Sequence, residues 1–174
     1  MTEDTLVVER LVRSHMRAAF SCGNEYLDRY IRTQARQDQE KRAVGVYVLR
    51  HTPTDRIAGY YTLTASSIET KDLPEDVARS LPRYEVQGAI LIGHLARDLR
   101  FRGAGIGEML LRDALQRGLE MQQSGLGAVA VIVDAIDAAA ATFYEGYGLK
   151  PLTRNPMRLF MALETVVVLS ISRE

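Results

Sequence analysis

The stretch RFRGAGIGEMLLRDAL, residues 100–115, decides how this chain folds. It places three glycines, Gly103, Gly105 and Gly107, within five residues. The apolar run AILIGHLA at residues 89–96 precedes it, and a pattern with Leu110, Leu111, Ala114 and Leu115 on one helical face follows it. Strand, glycine loop and helix in succession is how a chain holds a pyrophosphate with main-chain N–H groups. Glycine lets the backbone turn without a Cβ in the way. The first helical turn offers unpaired donors and the positive end of the helix dipole.

Two familiar anion loops do not fit. A P-loop needs GxxxxGK[ST], and no Lys-Ser or Lys-Thr follows these glycines. A dinucleotide fingerprint needs GxGxxG in an early βαβ unit, whereas here the spacing is GxGxG and the motif lies past mid-chain. The pattern [RQ]xxGxG, read as Arg100, Gly103 and Gly105, resembles the acetyl-CoA pyrophosphate loop of the GNAT N-acetyltransferases.

Working outward, residues 24–42 read as a helix capped by Asn24, with Leu27, Ile31 and Ala35 on one stripe. Residues 44–50 and 57–65 read as strands of a hairpin around the turn Thr52-Pro53-Thr54-Asp55. Residues 74–81 suit a short helix, 103–122 a long one, and 127–134, GAVAVIVD, a buried central strand. Asp137 suits the N-cap of a helix over 137–146, and residues 158–163 read as a strand. The tail, 164–171, fits a strand by propensity or a short closing helix. This order gives an α/β domain with a mixed sheet, which is the GNAT order. In that arrangement the strands at 89–96 and 127–134 splay around pantetheine. Main-chain groups of the first pair with its amides, which sets Leu95, Ala96 and Arg97 beside the cofactor.

Composition narrows the class. With 174 residues, one domain with a sizeable core is expected. Formal net charge is zero, so bulk charge implies no nucleic-acid partner, which would need a local basic patch. The single cysteine, Cys22, excludes an internal disulfide and a multi-cysteine zinc site, and suits a reducing cytoplasm. Residues 1–12 are acidic and lack the apolar core of a signal peptide, and no run approaches the roughly 20 apolar residues of a membrane span. His15 and His51 have no ligand-spaced carboxylate or thiol, so no metal is expected. Cys22 reads as a packing residue, without a histidine in a helpful context to activate it.

A second motif is FYEGYG, residues 143–148. Acetyl transfer to an amine requires that the departing CoA thiolate be stabilised or protonated. A phenol with pKa near ~10 is a plausible acid, and Tyr144 is the candidate. The alternative is that Phe143 and Tyr144 are core aromatics; Tyr147 reads as a packing aromatic.

The combination of segments is more specific than any one of them. FSCGNEYLDRYIRTQARQDQEKR (20–42), VYVL (46–49), GYYTLTASSI (59–68), LPRY (81–84), the loop, VDAIDAAAATFYEGYGLKPL and RLFMAL resemble, in order, the GNAT toxins of type II toxin–antitoxin pairs. The resemblance covers nearly the whole chain. It implies a GNAT fold, with a mixed, mostly antiparallel sheet, flanking helices and a splayed parallel pair. It implies acetyl transfer from acetyl-CoA to the α-amine of aminoacyl-tRNA, which blocks translation in the cytoplasm, and a ribbon-helix-helix antitoxin as partner. It places the catalytic acid on Tyr144. It places the pyrophosphate loop on Arg102, Gly103, Ala104, Gly105, Ile106, Gly107 and Glu108. Arg29, Arg32, Arg36 and Arg83 are candidates for a tRNA surface, or else solvated faces. A homodimer is a further expectation, from apolar surface at residues 166–169. The chain departs from the family's GRLAVD with His94 and Arg97, in GHLARD; His94 reads as a half-buried strand residue with a satisfied ring. Competing readings are a GNAT enzyme for a small amine or a protein, and a non-catalytic CoA-binding module.

Overall fold

The computed structural model describes residues 5–171. Seven strands form one open sheet in the order β1-β2-β3-β4-β5-β7-β6, and the chain divides into two compact units. One comprises Met1–Thr64 with Gly93–Ala114, the other Ala65–Ile92 with Leu115–Glu174. Three elements contribute residues to both: β3 (Arg56–Glu69), β4 (Val86–Arg97) and α4 (Ile106–Gln123).

In the first unit β1 (Leu6–Arg10) pairs antiparallel with β2 (Gly45–His51), and β2 with β3. The hairpin between β2 and β3 falls where the Pro-Asp turn chemistry puts it, with Asp55 at φ 57°. The segment FSCGNEYLD is structural almost residue by residue. Phe20 and Leu27 are core. The Asn24 side chain accepts from Leu27 N–H at 3.0 Å, which caps α1 (Glu25–Arg29). Asp28, 4% exposed, accepts from the Cys22 N–H at 2.7 Å and so ties the loop to the helix it precedes.

The helix expected over 24–42 is interrupted by a π turn at Tyr30–Gln34, and α2 (Ala35–Glu40) completes it. The cause is local. The Thr33 hydroxyl donates to the Arg29 carbonyl at 2.7 Å, and the Ala35 N–H reaches Tyr30 O, five residues back. A side chain that takes a ladder acceptor widens the turn. The result buries both Tyr30 and Ile31 against Val46, Val48, Ile57, Tyr60 and Ala96.

In the second unit β4 runs parallel to β5 (Ala130–Asp134), from Ala89↔Ala130 to Ile92↔Val133. β5 pairs antiparallel with β7 (Asn155–Ala162), and β7 with the short β6 (Lys150–Leu152). Helices α3 (Glu75–Arg79), α5 (Ala138–Gly146) and α6 (Leu163–Ile171) complete it. Asp137 caps α5 as expected, accepting from Ala140 N–H at 2.8 Å. β5 begins at Ala130 rather than residue 127, because residues 126–129 form the approach to the strand, with Val129 N–H bonded to Gly88 O. The tail takes the helical alternative. Val166 is 4% exposed, so the apolar surface expected from that residue is absent; side chains from 168 onward lie outside the described residues.

Candidate functional site

The glycine loop lies in the first unit, between the end of β4 and the start of α4. Its base is a buried carboxylate. Asp98, fully buried, accepts from Arg100 N–H, Nε and Nη2, each at 2.9 Å, and from Ser21 N–H at 3.1 Å. Burial opposes its ionisation, but the hydrogen bonds from Arg100 and Ser21 outweigh that and hold the carboxyl below its usual range. Arg100 also donates to Ala19 O at 3.1 Å. The arginine read as the first letter of the loop motif is therefore a strut of the loop.

Gly103 and Gly105 have φ of +75° and +72°, and among the described residues no atom beyond the glycine and its chain neighbours lies within 4 Å of where a Cβ would stand at either. The left-handed backbone, not crowding, demands glycine there. Arg102, Gly103 and Gly105 are exposed; Ala104, Gly107 and Glu108 are half-buried. Ile106 is a core residue that anchors the first turn of α4. β4 extends to Arg97, beyond the register from Ala89↔Ala130 to Ile92↔Val133 that it shares with β5. Leu95 and Arg97 are half-buried and Ala96 is buried. Arg97 Nε is buried without a hydrogen-bond partner among the described residues, which a bound anion would supply.

Beside this stretch stands an aromatic stack that the sequence reading did not foresee. The His94 ring lies on Tyr30, centroids 3.8 Å apart and planes 11° apart, and the Tyr26 ring lies 5.7 Å away with planes 21° apart. His94 Nδ1 is 2.9 Å from Thr62 Oγ1, and Nε2 is 3.3 Å from the Tyr26 hydroxyl. Burial pushes the imidazole down to about 4, so it is neutral at physiological pH. The half-buried, satisfied ring expected for His94 is what the structure contains. The signal for the stack was the i, i+4 spacing of Tyr26 and Tyr30, which sets both rings on one helical face.

Tyr144 lies in the second unit, on α5. It is 6% exposed, packed edge-on against Phe143, and its hydroxyl has no hydrogen-bond partner among the described residues. Burial alone pushes the phenol up to about 12. Such a group keeps its proton at neutral pH and has it available to give. Tyr147, 39% exposed, packs against Phe143.

The arginines proposed for a nucleic-acid surface divide. Arg29 is exposed in the first unit and Arg83 in the second. Arg32 donates to Phe20 O, and Arg36 pairs with Glu40 at 2.8 Å. Burial and the Asp28 carboxylate push the Cys22 thiol up to about 11, which suits a packing role. Among the described residues no cluster of histidine, cysteine and carboxylate side chains is placed to hold a metal, and no helix is long and apolar enough to cross a membrane.

The sheet with one parallel pair, and the positive-φ glycine loop opening α4, define a GNAT-type acetyltransferase fold. No family model matches the chain. It is 32% identical over 161 residues to a probable toxin TacT of Sinorhizobium fredii (strain NBRC 101917 / NGR234), covering 87% of each chain. It is 31% identical over 147 residues to a tRNA-acetylating toxin of Mycobacterium tuberculosis (strain ATCC 25618 / H37Rv), covering 84% of this chain and 85% of that one. Among solved structures, AtaT complexed with acetyl-methionyl-tRNAfMet superposes with a TM-score of 0.87 at 27% identity, over 94% of this chain and 98% of that one. A mutant of KacT superposes at 0.88 and 26% identity, over 95% and 99%. The chain belongs to the family of GNAT-type tRNA-acetylating toxins.

Proposed function

We propose that this chain, as one acetyltransferase domain, moves an acetyl group from acetyl-CoA to the α-amine of aminoacyl-tRNA and thereby stops translation. The observation that carries the chemical assignment is the phenol of Tyr144, buried, protonated and, among the described residues, without a partner for its hydroxyl. The loop from Arg102 to Glu108 receives the pyrophosphate of acetyl-CoA on its main-chain N–H groups, and β4 from Leu95 to Arg97 pairs with the pantetheine amides. The neutral amine attacks the thioester carbonyl carbon; a C–N bond forms and the C–S bond breaks. The attacking nitrogen gives up a proton to solvent, and the departing thiolate takes one from Tyr144, which is then reprotonated. A complete transfer from a phenol near 12 to a thiolate of thiol pKa ~8.5 is uphill by about 5 kcal/mol. Tyr144 therefore acts as a hydrogen-bond donor whose proton moves as the C–S bond breaks.

A chain of this activity works in the cytoplasm, where charged tRNA is found. Solved relatives include AtaT bound to the C-terminus of the antitoxin AtaR and a KacTA–DNA complex. We infer a ribbon-helix-helix antitoxin as partner here, and a homodimer as the toxin's own assembly. The engagement of Arg32 and Arg36 within the chain favours one other reading, acetylation of a small amine or a protein. The deciding experiment is transfer from radiolabelled acetyl-CoA to total charged tRNA, wild type against Tyr144→Phe. Label on aminoacyl-tRNA, lost in the variant, is the expected result. Unlabelled tRNA from a protein that still binds acetyl-CoA would overturn the toxin reading.

A further inference from the structure

We propose that His94 Nε2 and the Tyr26 hydroxyl form the seat of the acceptor's amino group. This deepens the function proposed above and rests on it. Within residues 89–96, AILIGHLA, His94 is the one polar side chain. It falls two residues past Ile92, on the part of β4 that continues to Arg97 beyond its register with β5. Its ring is fixed on two sides. Tyr30 covers one face at 3.8 Å, and fully buried Thr62 holds Nδ1 at 2.9 Å.

What is left is Nε2, and its partner is weakly held. The contact to the Tyr26 hydroxyl is 3.3 Å, long for an O–H···N bond, and Tyr26 is 65% exposed. An incoming N–H displaces such a contact at little cost. The Tyr30 hydroxyl, by contrast, is engaged with Asp38 at 3.0 Å and is no competitor.

The chemistry of this seat selects an amine. With Nδ1–H donated to Thr62, a neutral imidazole presents a lone pair at Nε2. The Tyr26 hydroxyl can accept as well as donate. Two acceptors hold two N–H groups of an amine and leave the nitrogen lone pair free to attack. An arginine at this position, as in the GRLA of the family pattern, has five donors and no acceptor, so it could not make these bonds. His94 is thus an acceptor-binding residue, with Tyr26 as its displaceable cover.

The test is steady-state kinetics of the full-length protein with charged tRNA and acetyl-CoA varied in turn, together with acetyl-CoA binding. The variants are His94→Phe, His94→Gln and Tyr26→Phe. Loss of one hydrogen bond to the amine in His94→Phe should raise KM for charged tRNA about tenfold and leave acetyl-CoA affinity as in wild type. His94→Gln, whose side-chain oxygen can accept in place of Nε2, should recover most of that loss. Tyr26→Phe, at an exposed position that cannot disturb the core, should raise the same KM about threefold. Wild-type KM for charged tRNA in both His94→Phe and Tyr26→Phe would overturn the assignment. So would a loss in His94→Phe that His94→Gln does not recover. A wild-type protein that leaves charged tRNA unlabelled overturns the parent reading and this assignment with it, so the two failures are distinct.

Discussion

Acid should destabilise this protein partly through one histidine, and His94→Gln should remove that part. In the unfolded chain the imidazole titrates near 6.5, whereas burial holds it at about 4 in the fold, with the Asp38 carboxylate acting weakly in the opposite direction. Between these values the unfolded chain binds a proton that the folded one refuses, so stability falls as pH falls. Above 6.5 neither state binds the proton and the contribution is constant; below about 4 both bind it and the loss is complete. The full window corresponds to about 3 kcal/mol, and partial exposure of the ring reduces this to about 2. Urea unfolding of wild type and His94→Gln at about pH 7 and about pH 4.5 measures it. Glu9 and Asp98, whose carboxyls the fold holds below their usual range, lose stability on acidification in both proteins and cancel in the difference. The wild type should lose about 2 kcal/mol more than the variant. Equal losses would refute the argument that the ring is held neutral by its burial.

Other outcomes follow from the same geometry. Tyr144→Phe removes a hydroxyl that has no partner among the described residues, so its melting temperature should match wild type while acetyl transfer falls by about 10²-fold or more. Asp98→Ala leaves the Ser21 N–H and the Arg100 guanidinium without their acceptor and should cost about 2 kcal/mol or more in urea unfolding, with weaker acetyl-CoA binding by calorimetry. Gly105→Ala and Gly125→Ala both place alanine at positive φ, with no other described residue than the chain neighbours near the new Cβ, so each should cost about 1 kcal/mol. Only Gly105→Ala should lower acetyl-CoA affinity, and equal affinities in the two would detach the loop from the cofactor.

Much of the fold was legible because its signals are local. Asn24 and Asp137 announced their caps, the Pro-Asp turn its hairpin, and residues 89–96 a buried strand. The elements that escaped are those whose stability comes from neighbours. β1 has five residues and is held by its register with β2, Leu6↔His51 to Arg10↔Tyr47. β6 has three residues and contains Pro151, a residue that argues against a strand except at an edge, which is where β6 lies. The π turn was hidden because Leu27, Ile31 and Ala35 keep an ordinary helical stripe, and only the Thr33 hydroxyl on Arg29 O betrays the insertion.

The loop shows how a residue that belongs to a ligand-binding motif can serve the fold instead. Arginine three residues ahead of the first glycine invites assignment as a phosphate ligand, because a guanidinium suits phosphate. It suits a carboxylate equally well, and Asp98, two residues earlier in the chain and fully buried, takes its Nε and Nη2 donors. Sequence distance alone cannot decide between the two anions; burial does, since an unpaired carboxylate at Asp98 would cost far more than an unpaired guanidinium that is partly in water. With Arg100 committed to the protein, the recognition of a pyrophosphate proposed for this loop rests on main-chain N–H groups at positive-φ glycines and on the first turn of α4. Those donors are set by backbone geometry, and the Asp98–Arg100 strut is what keeps that geometry fixed. The cation that the motif seemed to offer to the ligand is instead the reason the loop has a shape to offer.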